Sequence, residues 1–140
     1  MKTESIFLLV LLAALEVCFP SFSHAAEKDG GSGEAAAVVE KFCKADAQGA
    51  RLSSKTSGQT RSLTTWEDEP GWDKVTVISG FKISKETYFE GKAQVTVIYE
   101  VVGKRAGEKV TFTLVPVDRQ WKIEAPQIEP HVASKHARGD

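Results

Sequence analysis

Apolar residues recur at helical spacing in residues 34–48, the first segment after the N-terminal region that has a face to bury. Side chains three to four positions apart lie on one face of an α-helix. Gly49 follows directly, and glycine at this position commonly ends a helix. The pattern predicts one amphipathic helix whose apolar face covers another layer of the fold. The residues on that face are Ala35, Val38, Val39, Phe42, Ala45 and Gly49.

The apolar period changes to two after Pro70-Gly71, which is typical of β-strands that bury one face. Four such runs follow, separated by turn sequences at Glu90-Gly91, residues 103–107 and residues 118–120. Connections this short place neighbouring strands antiparallel, and Ser79-Gly80 predicts a bulge in the first strand. The apolar positions of the four runs are Val75, Val77, Phe81 and Ile83; Val95, Val97, Tyr99 and Val101; Val110, Phe112 and Leu114; and Trp121 and Ile123.

These elements predict an α+β fold, in which an N-terminal helix packs on a curved four-stranded antiparallel meander. The helix is the predicted element available to cover the apolar face of the sheet. The domain spans residues 34–126. Before it, residues 26–33 are polar and glycine-rich and are predicted to be a flexible linker. After it, residues 127–140 are predicted to be a polar tail.

The first 25 residues have the features of an export signal. Lys2 gives a basic start, an unbroken apolar run follows at residues 6–15, and Ser23 and Ala25 stand where a signal peptidase requires small residues. An apolar run of about ten residues is half of the roughly 20 that a membrane-spanning helix needs. We therefore predict a secreted or periplasmic protein, cleaved after Ala25, with no membrane anchor.

Charge and cysteine content exclude some classes of partner. The full chain has 18 Lys and Arg and 19 Asp and Glu, and loss of Lys2, Glu4 and Glu16 with the signal leaves no net charge. Such a balance favours neither nucleic acid nor an anionic membrane. Cys43 is the one cysteine beyond the signal, so no internal disulfide is expected. Its place beside Phe42 predicts a small buried hydrophobe rather than a nucleophile.

Asp46 is the most informative polar position, because it falls four residues after Phe42 and therefore inside the apolar stripe of the helix. A carboxylate there needs a partner or a cavity. In a structural role, Asp46 accepts hydrogen bonds from amides at residues 49–52 or pairs with Arg51. In a functional role, Asp46 binds a ligand or acts as acid or base. Tyr99, on the inward side of the second strand, is then either a hydroxyl donor in the same cavity or a core residue.

An acidic loop flanked by two tryptophans lies between helix and sheet, at residues 66–73. Its four carboxylates lack the alternating spacing of a calcium-binding loop, so a solvated loop is expected. Trp66 and Trp72 either close the open end of the core or line a ligand pocket. His131 and His136 lie in the tail without the spacing of zinc ligands. The sequence predicts no metal and no cofactor.

Three short segments and the strands that follow them carry a family likeness: Val38-Val39-Glu40-Lys41-Phe42-Cys43 with Asp46, then Gly49-Ala50-Arg51-Leu52, then residues 66–73. In these the chain resembles exported bacterial members of the nuclear transport factor 2-like superfamily, which includes ketosteroid-isomerase-like proteins. The resemblance covers about residues 34–126. It implies a cone of curved antiparallel sheet around helices, with a cavity that some members use for isomerisation, dehydration or cyclisation and many use for binding or dimer contact.

The catalytic Asp/His or Tyr/Asp sets of the enzymatic relatives have no counterpart in the sequence, because no histidine lies between Glu34 and Pro126. The simpler relative is the cystatin fold, also a helix on an antiparallel meander. Its protease inhibitors use a Gln-x-Val-x-Gly hairpin. Residues 94–98 lie within a predicted strand and lack that glycine, so protease inhibition is not expected.

The sequence supports two hypotheses of function. The favoured one is an exported non-catalytic domain that binds a small apolar ligand or an envelope protein, with a homodimer through the sheet as a further expectation. The alternative is a small isomerase, dehydratase or cyclase that uses Asp46 as base and Tyr99 as hydrogen-bond donor. The predicted ligand-binding residues are Asp46, Arg51, Trp66, Trp72 and Tyr99.

Overall fold

The computed structural model describes residues 27–29, 33–124 and 129–137. Residues 1–25, predicted to be a signal peptide, lie outside the described part. In chain order the elements are β1 (Glu27–Asp29), α1 (Glu34–Ala47), a 3-10 helix (Ala50–Leu52), α2 (Gly58–Arg61), β2 (Thr76–Phe89), β3 (Lys92–Val101), β4 (Glu108–Val117), β5 (Gln120–Ile123), β6 (His131–Ala133) and α3 (Ser134–Ala137).

The strands form one mixed sheet in which β1 to β5 lie side by side in chain order. Each neighbouring pair in that order is antiparallel. β6 pairs with the start of β2 in parallel, joining His131–Ala133 to Thr76–Ile78. The predicted α+β class is therefore confirmed, and the described sheet has six strands and mixed direction rather than four antiparallel strands.

Helix α1 packs across the sheet and supplies the centre of the core. Phe42 is buried and makes edge contacts with Trp66 and Phe112, with ring centroids 5.9 Å and 5.7 Å apart. Val39 and Cys43 are buried on the same face. Gly49 adopts a φ of +80° just beyond the helix, which is the left-handed conformation that glycine accepts without a steric cost. Helix α1 thus ends at Ala47, two residues before this glycine.

The turns between strands follow from residues that adopt positive φ. Glu90 and Gly91 have φ values of 46° and 76°, and Asp118 and Arg119 have values of 49° and 65°. Two consecutive residues of this kind match the twist of a tight β-hairpin. The register of β2 against β3 shifts between Ile78 and Gly80, where the sequence predicts a bulge.

Two segments beyond the predicted domain belong to the sheet. Within the predicted flexible linker, Glu27–Asp29 pair with β2 as strand β1. Within the predicted polar tail, His131–Ala133 form β6, where His131 and Val132 are buried. The sequence does not indicate either strand, because pairing at a sheet edge uses backbone groups and three residues are too few to show a period. In the described part of the chain, no helix is long and apolar enough to cross a membrane.

The N-terminus of α1 is held by a side chain from β2. Gly33, the N-cap residue, offers no side chain, and the buried carboxylate of Glu86 accepts the N–H groups of Gly33 at 3.1 Å and Ala36 at 3.0 Å. The hydroxyl of Tyr88 donates to the same carboxylate. A negative charge here also meets the positive end of the helix dipole. Glu86 thereby ties α1 to the sheet.

Candidate functional site

Asp46 is buried and bonds to a segment that the sequence does not connect with it. Its Oδ2 atom accepts the backbone N–H of His131 at 2.9 Å, not the amides of residues 49–52. The second predicted partner is close, since Nη1 of Arg51 lies 4.0 Å from Oδ2. Asp46 therefore joins the C-terminal half of α1 to β6. The contact is structural, as one of the two hypotheses for Asp46 expects, but its partner is the backbone amide of His131.

Burial raises the pKa of Asp46 from 3.8 to about 7. The hydrogen bond from His131 and the charge of Arg51 act in the opposite direction, and the charge of Glu69 adds to the rise. Desolvation of the carboxylate outweighs its two stabilising neighbours, because a charged group loses more on leaving water than one amide and one distant guanidinium restore.

Arg51, on the 3-10 helix, is buried and pairs with Glu69, whose side chain is partly buried. Its Nε atom donates to Oε1 of Glu69, and the guanidinium lies over the rings of Trp66 and Phe42, 5.4 Å and 5.9 Å from their centroids. Contacts of this kind are favourable when the cation is desolvated. Trp66 thus packs at one end of the core. Glu69 belongs to an acidic loop that is otherwise exposed, and its carboxylate neutralises the buried guanidinium of Arg51.

Tyr99 is fully buried and contacts two groups that could act in chemistry. The thiol of Cys43 lies 3.1 Å from its hydroxyl, and the ring of His131 stacks on its ring at 3.9 Å. Nε2 of His131 lies 3.2 Å from Oε1 of Glu108. Burial, followed by the neighbouring Cys43, raises the pKa of Tyr99, so its hydroxyl stays protonated. Burial likewise raises the pKa of Cys43 to about 12.

We call Asp46, Arg51, Glu69, Tyr99 and His131 the polar cluster. The structure brings together four of the five predicted site residues in or against this cluster, with Trp66 as the apolar neighbour of Arg51. Trp72 stands apart, partly exposed on the loop. Six buried atoms at this place have no hydrogen-bond partner among the described residues: Asp46 Oδ1, Arg51 Nη1 and Nη2, Trp66 Nε1, Glu69 Oε2 and His131 Nδ1.

His131, Glu69 and Glu108 are the residues of this region that sequence reasoning misses. The absence of a histidine between Glu34 and Pro126 holds for the sequence, yet the fold brings His131 against Asp46 and Tyr99 from outside those limits. The one available signal was the short apolar run after Pro130, which is too brief to predict a strand. His136, in contrast, is exposed.

A separate groove lies between α1, the segment after α2 and the turn joining β4 to β5. Its volume is about 590 Å³, within the range of about 300–1,000 Å³ typical of small-molecule sites. The apolar part of its lining comes from Val38, Leu63 and Trp121. The charged part comes from Glu34, Lys41, Arg119 and Lys122.

Among the described residues, no group of three or more His, Cys, Asp or Glu side chains is arranged to hold a metal ion. Comparisons with protein-family models, with curated proteins and with solved structures found no match for this chain.

Proposed function

We propose that this chain is an exported, non-catalytic binding domain with the cone-like fold of the nuclear transport factor 2-like superfamily, and that its ligand occupies the groove beside Trp121. The proposed function is the one expected from the sequence, but the proposed binding site is the groove rather than the residues around Asp46. One observation carries it: the groove is a concavity whose lining includes three apolar residues, which we call its floor, whereas the predicted site residues Asp46, Arg51 and Tyr99 are buried and contact other parts of the same chain. The floor consists of Val38, Leu63 and Trp121.

The position of His131 argues against catalysis in the polar cluster. Its N–H donates to the Asp46 carboxylate, and its ring covers one face of Tyr99. A general base must come within about 3 Å of the proton it removes. A substrate that contacts both Asp46 and Tyr99 therefore has to displace β6 from its pairing with β2.

The alternative, an isomerase, dehydratase or cyclase, is favoured by the pKa of about 7 of Asp46, because a general base works best when its pKa is near the ambient pH. The enzyme hypothesis is tested by measuring, with NMR in D₂O, proton exchange at the carbon α to the carbonyl of a cyclic ketone. We expect no exchange above the buffer rate. Exchange that disappears in Asp46→Asn would establish the enzyme instead.

The binding function is tested with an uncharged fluorescent probe, N-phenyl-1-naphthylamine, added to the protein that begins at Ala26. We expect one probe per chain and a rise in its emission. Ser62→Phe fills the groove from an exposed lining position, so binding should weaken by at least about tenfold. The matched control is Ser54→Phe, which places the same ring at an exposed position outside the groove.

Two results would contradict the binding proposal. One is the absence of any probe binding to the parent protein. The other is equal weakening in Ser62→Phe and Ser54→Phe, which would show that the ring acts on stability rather than on the groove. Thermal unfolding of both variants, measured by circular dichroism, establishes that each is folded before binding is compared.

The proposed export is tested separately by expressing the full chain and determining the N-terminus of the protein recovered outside the cytoplasm. We expect it to begin at Ala26. Recovery of the uncleaved chain in the cytoplasm would contradict cleavage after Ala25.

A further inference from the structure

The charged residues that line the groove are predominantly basic. Lys41 on α1 and Arg119 in the turn between β4 and β5 are exposed, and neither forms an ion pair with a described residue. Lys122 on β5 donates to the backbone carbonyl of Ser62. The described lining contains these three cations and one acidic residue, Glu34. The protein beyond Ala25 carries no net charge, so this excess is local.

The floor of the groove is supported by contacts with residues packed beneath it. Trp121 packs against Tyr88 with ring centroids 5.7 Å apart, and Tyr88 is in turn fixed by its hydrogen bond to Glu86. The backbone N–H of Ile123 donates to the carbonyl of Leu63 at 2.9 Å, which joins β5 to the segment after α2. The floor is therefore formed before a ligand arrives, so little ordering is required on binding.

We propose that the groove binds a small amphipathic anion, whose apolar or aromatic body lies against Val38, Leu63 and Trp121 while its carboxylate, sulfonate or phosphate group faces Lys41, Arg119 and Lys122. The inference rests on the proposed binding function and adds the chemical class of the ligand. An apolar site with a few charged groups at one side is the usual arrangement for ligands of this kind. The concave shape and its volume favour a free small molecule over a membrane surface.

The experiment compares two naphthylamine probes of similar body and different charge, the sulfonate 8-anilinonaphthalene-1-sulfonate and the uncharged N-phenyl-1-naphthylamine. In the parent protein we expect the sulfonate to bind about tenfold more tightly, with an affinity that falls as salt increases. In the double variant Lys41→Gln/Arg119→Gln this preference should fall to about threefold or less, since Lys122 alone remains, while the uncharged probe binds as before. Ser62→Phe should weaken the binding of both probes by at least about tenfold.

The matched control is Lys82→Gln/Lys109→Gln, which removes two exposed lysines that do not line the groove and lowers the net charge equally. It should leave the preference unchanged. Loss of the preference in this control, or equal affinity for both probes in the parent, overturns the inference and leaves the binding function intact. Binding of neither probe overturns the binding function itself. If the protein sediments with anionic phosphatidylglycerol vesicles but does not bind the free sulfonate, the surface binds a membrane and the inference is overturned.

Discussion

The imidazole of His131 stacks on the phenol ring of Tyr99, with 3.9 Å between ring centroids and 10° between planes. Tyr99 lies near the C-terminal end of β3, and His131 is the first residue of β6. The contact makes a segment beyond Pro130 part of the same core that α1 covers. Loss of this segment is therefore expected to affect the stability of the whole domain.

The substitution His131→Ala tests that expectation. It removes the stacked ring and its contact with Glu108 but keeps the backbone N–H that donates to Asp46. We expect the free energy of unfolding to fall by about 1–3 kcal/mol, measured by urea denaturation. His136→Ala, at an exposed position of the same segment, should change it by less than about 0.5 kcal/mol. Equal effects of the two variants would show that β6 does not belong to the cooperative unit.

A pH dependence of stability follows from Asp46. Its pKa is about 7 in the folded protein and near 3.8 when unfolded, so the folded state binds the proton more tightly. The stabilisation is present below about pH 4 and is lost as the pH rises through about 7. A shift of this size corresponds to up to about 4 kcal/mol. We expect Asp46→Asn, relative to the parent, to gain stability progressively between those pH values in urea denaturation.

Asp46→Ala separates the charge from the hydrogen bond. Both substitutions remove the buried charge, but alanine leaves the N–H of His131 without an acceptor, whereas asparagine keeps a side-chain oxygen for it. We therefore expect the free energy of unfolding of Asp46→Ala at neutral pH to be about 1–3 kcal/mol lower than that of Asp46→Asn. An alanine variant as stable as the asparagine variant would show that the hydrogen bond to His131 does not stabilise the fold. A flat pH profile for the difference between parent and Asp46→Asn would contradict the raised pKa.

Local patterns in the sequence predict elements better than they predict the contacts between them. Helix α1, its stop at Gly49 and the turn at Glu90-Gly91 follow from apolar spacing and from residues suited to positive φ. The partner of Asp46 does not follow, because His131 is 85 residues away. Its position depends on where the chain returns to the edge of β2, which no local period encodes.

In the acidic loop, too, the local sequence does not indicate which residue makes a buried contact. Glu67, Asp68 and Asp73 are exposed as a solvated loop predicts, whereas Glu69 pairs with the buried Arg51. Nothing in the local sequence distinguishes Glu69 from its neighbours. The stripe position of Asp46 does carry information, since it indicates that some partner must exist, but it does not identify the partner.

The close approach of Glu86 to the start of α1 predicts that glycine is favoured over alanine at position 33. A Cβ atom there would overlap the Glu86 carboxylate, so Gly33→Ala has to displace the group that accepts the N–H of Ala36. We expect a loss of about 1–3 kcal/mol in the free energy of unfolding. Gly58→Ala is the control, because a Cβ at Gly58, in the short helix α2, meets nothing within 4 Å. That variant should be neutral or more stable by about 0.4–1 kcal/mol.

Cys43, the one cysteine in the sequence after Ala25, has its thiol in the core. Its sulfur lies 3.1 Å from the Tyr99 hydroxyl, and burial raises its pKa to about 12. Since the thiolate is the reactive form, a disulfide reagent should modify Cys43 only when the core opens, about a thousandfold or more slowly than in denaturant. His131→Ala removes the ring that covers Tyr99 and should accelerate the reaction, whereas His136→Ala should not. Rapid modification of the folded parent protein would contradict the buried position of Cys43 and, with it, the packing of α1 on β3.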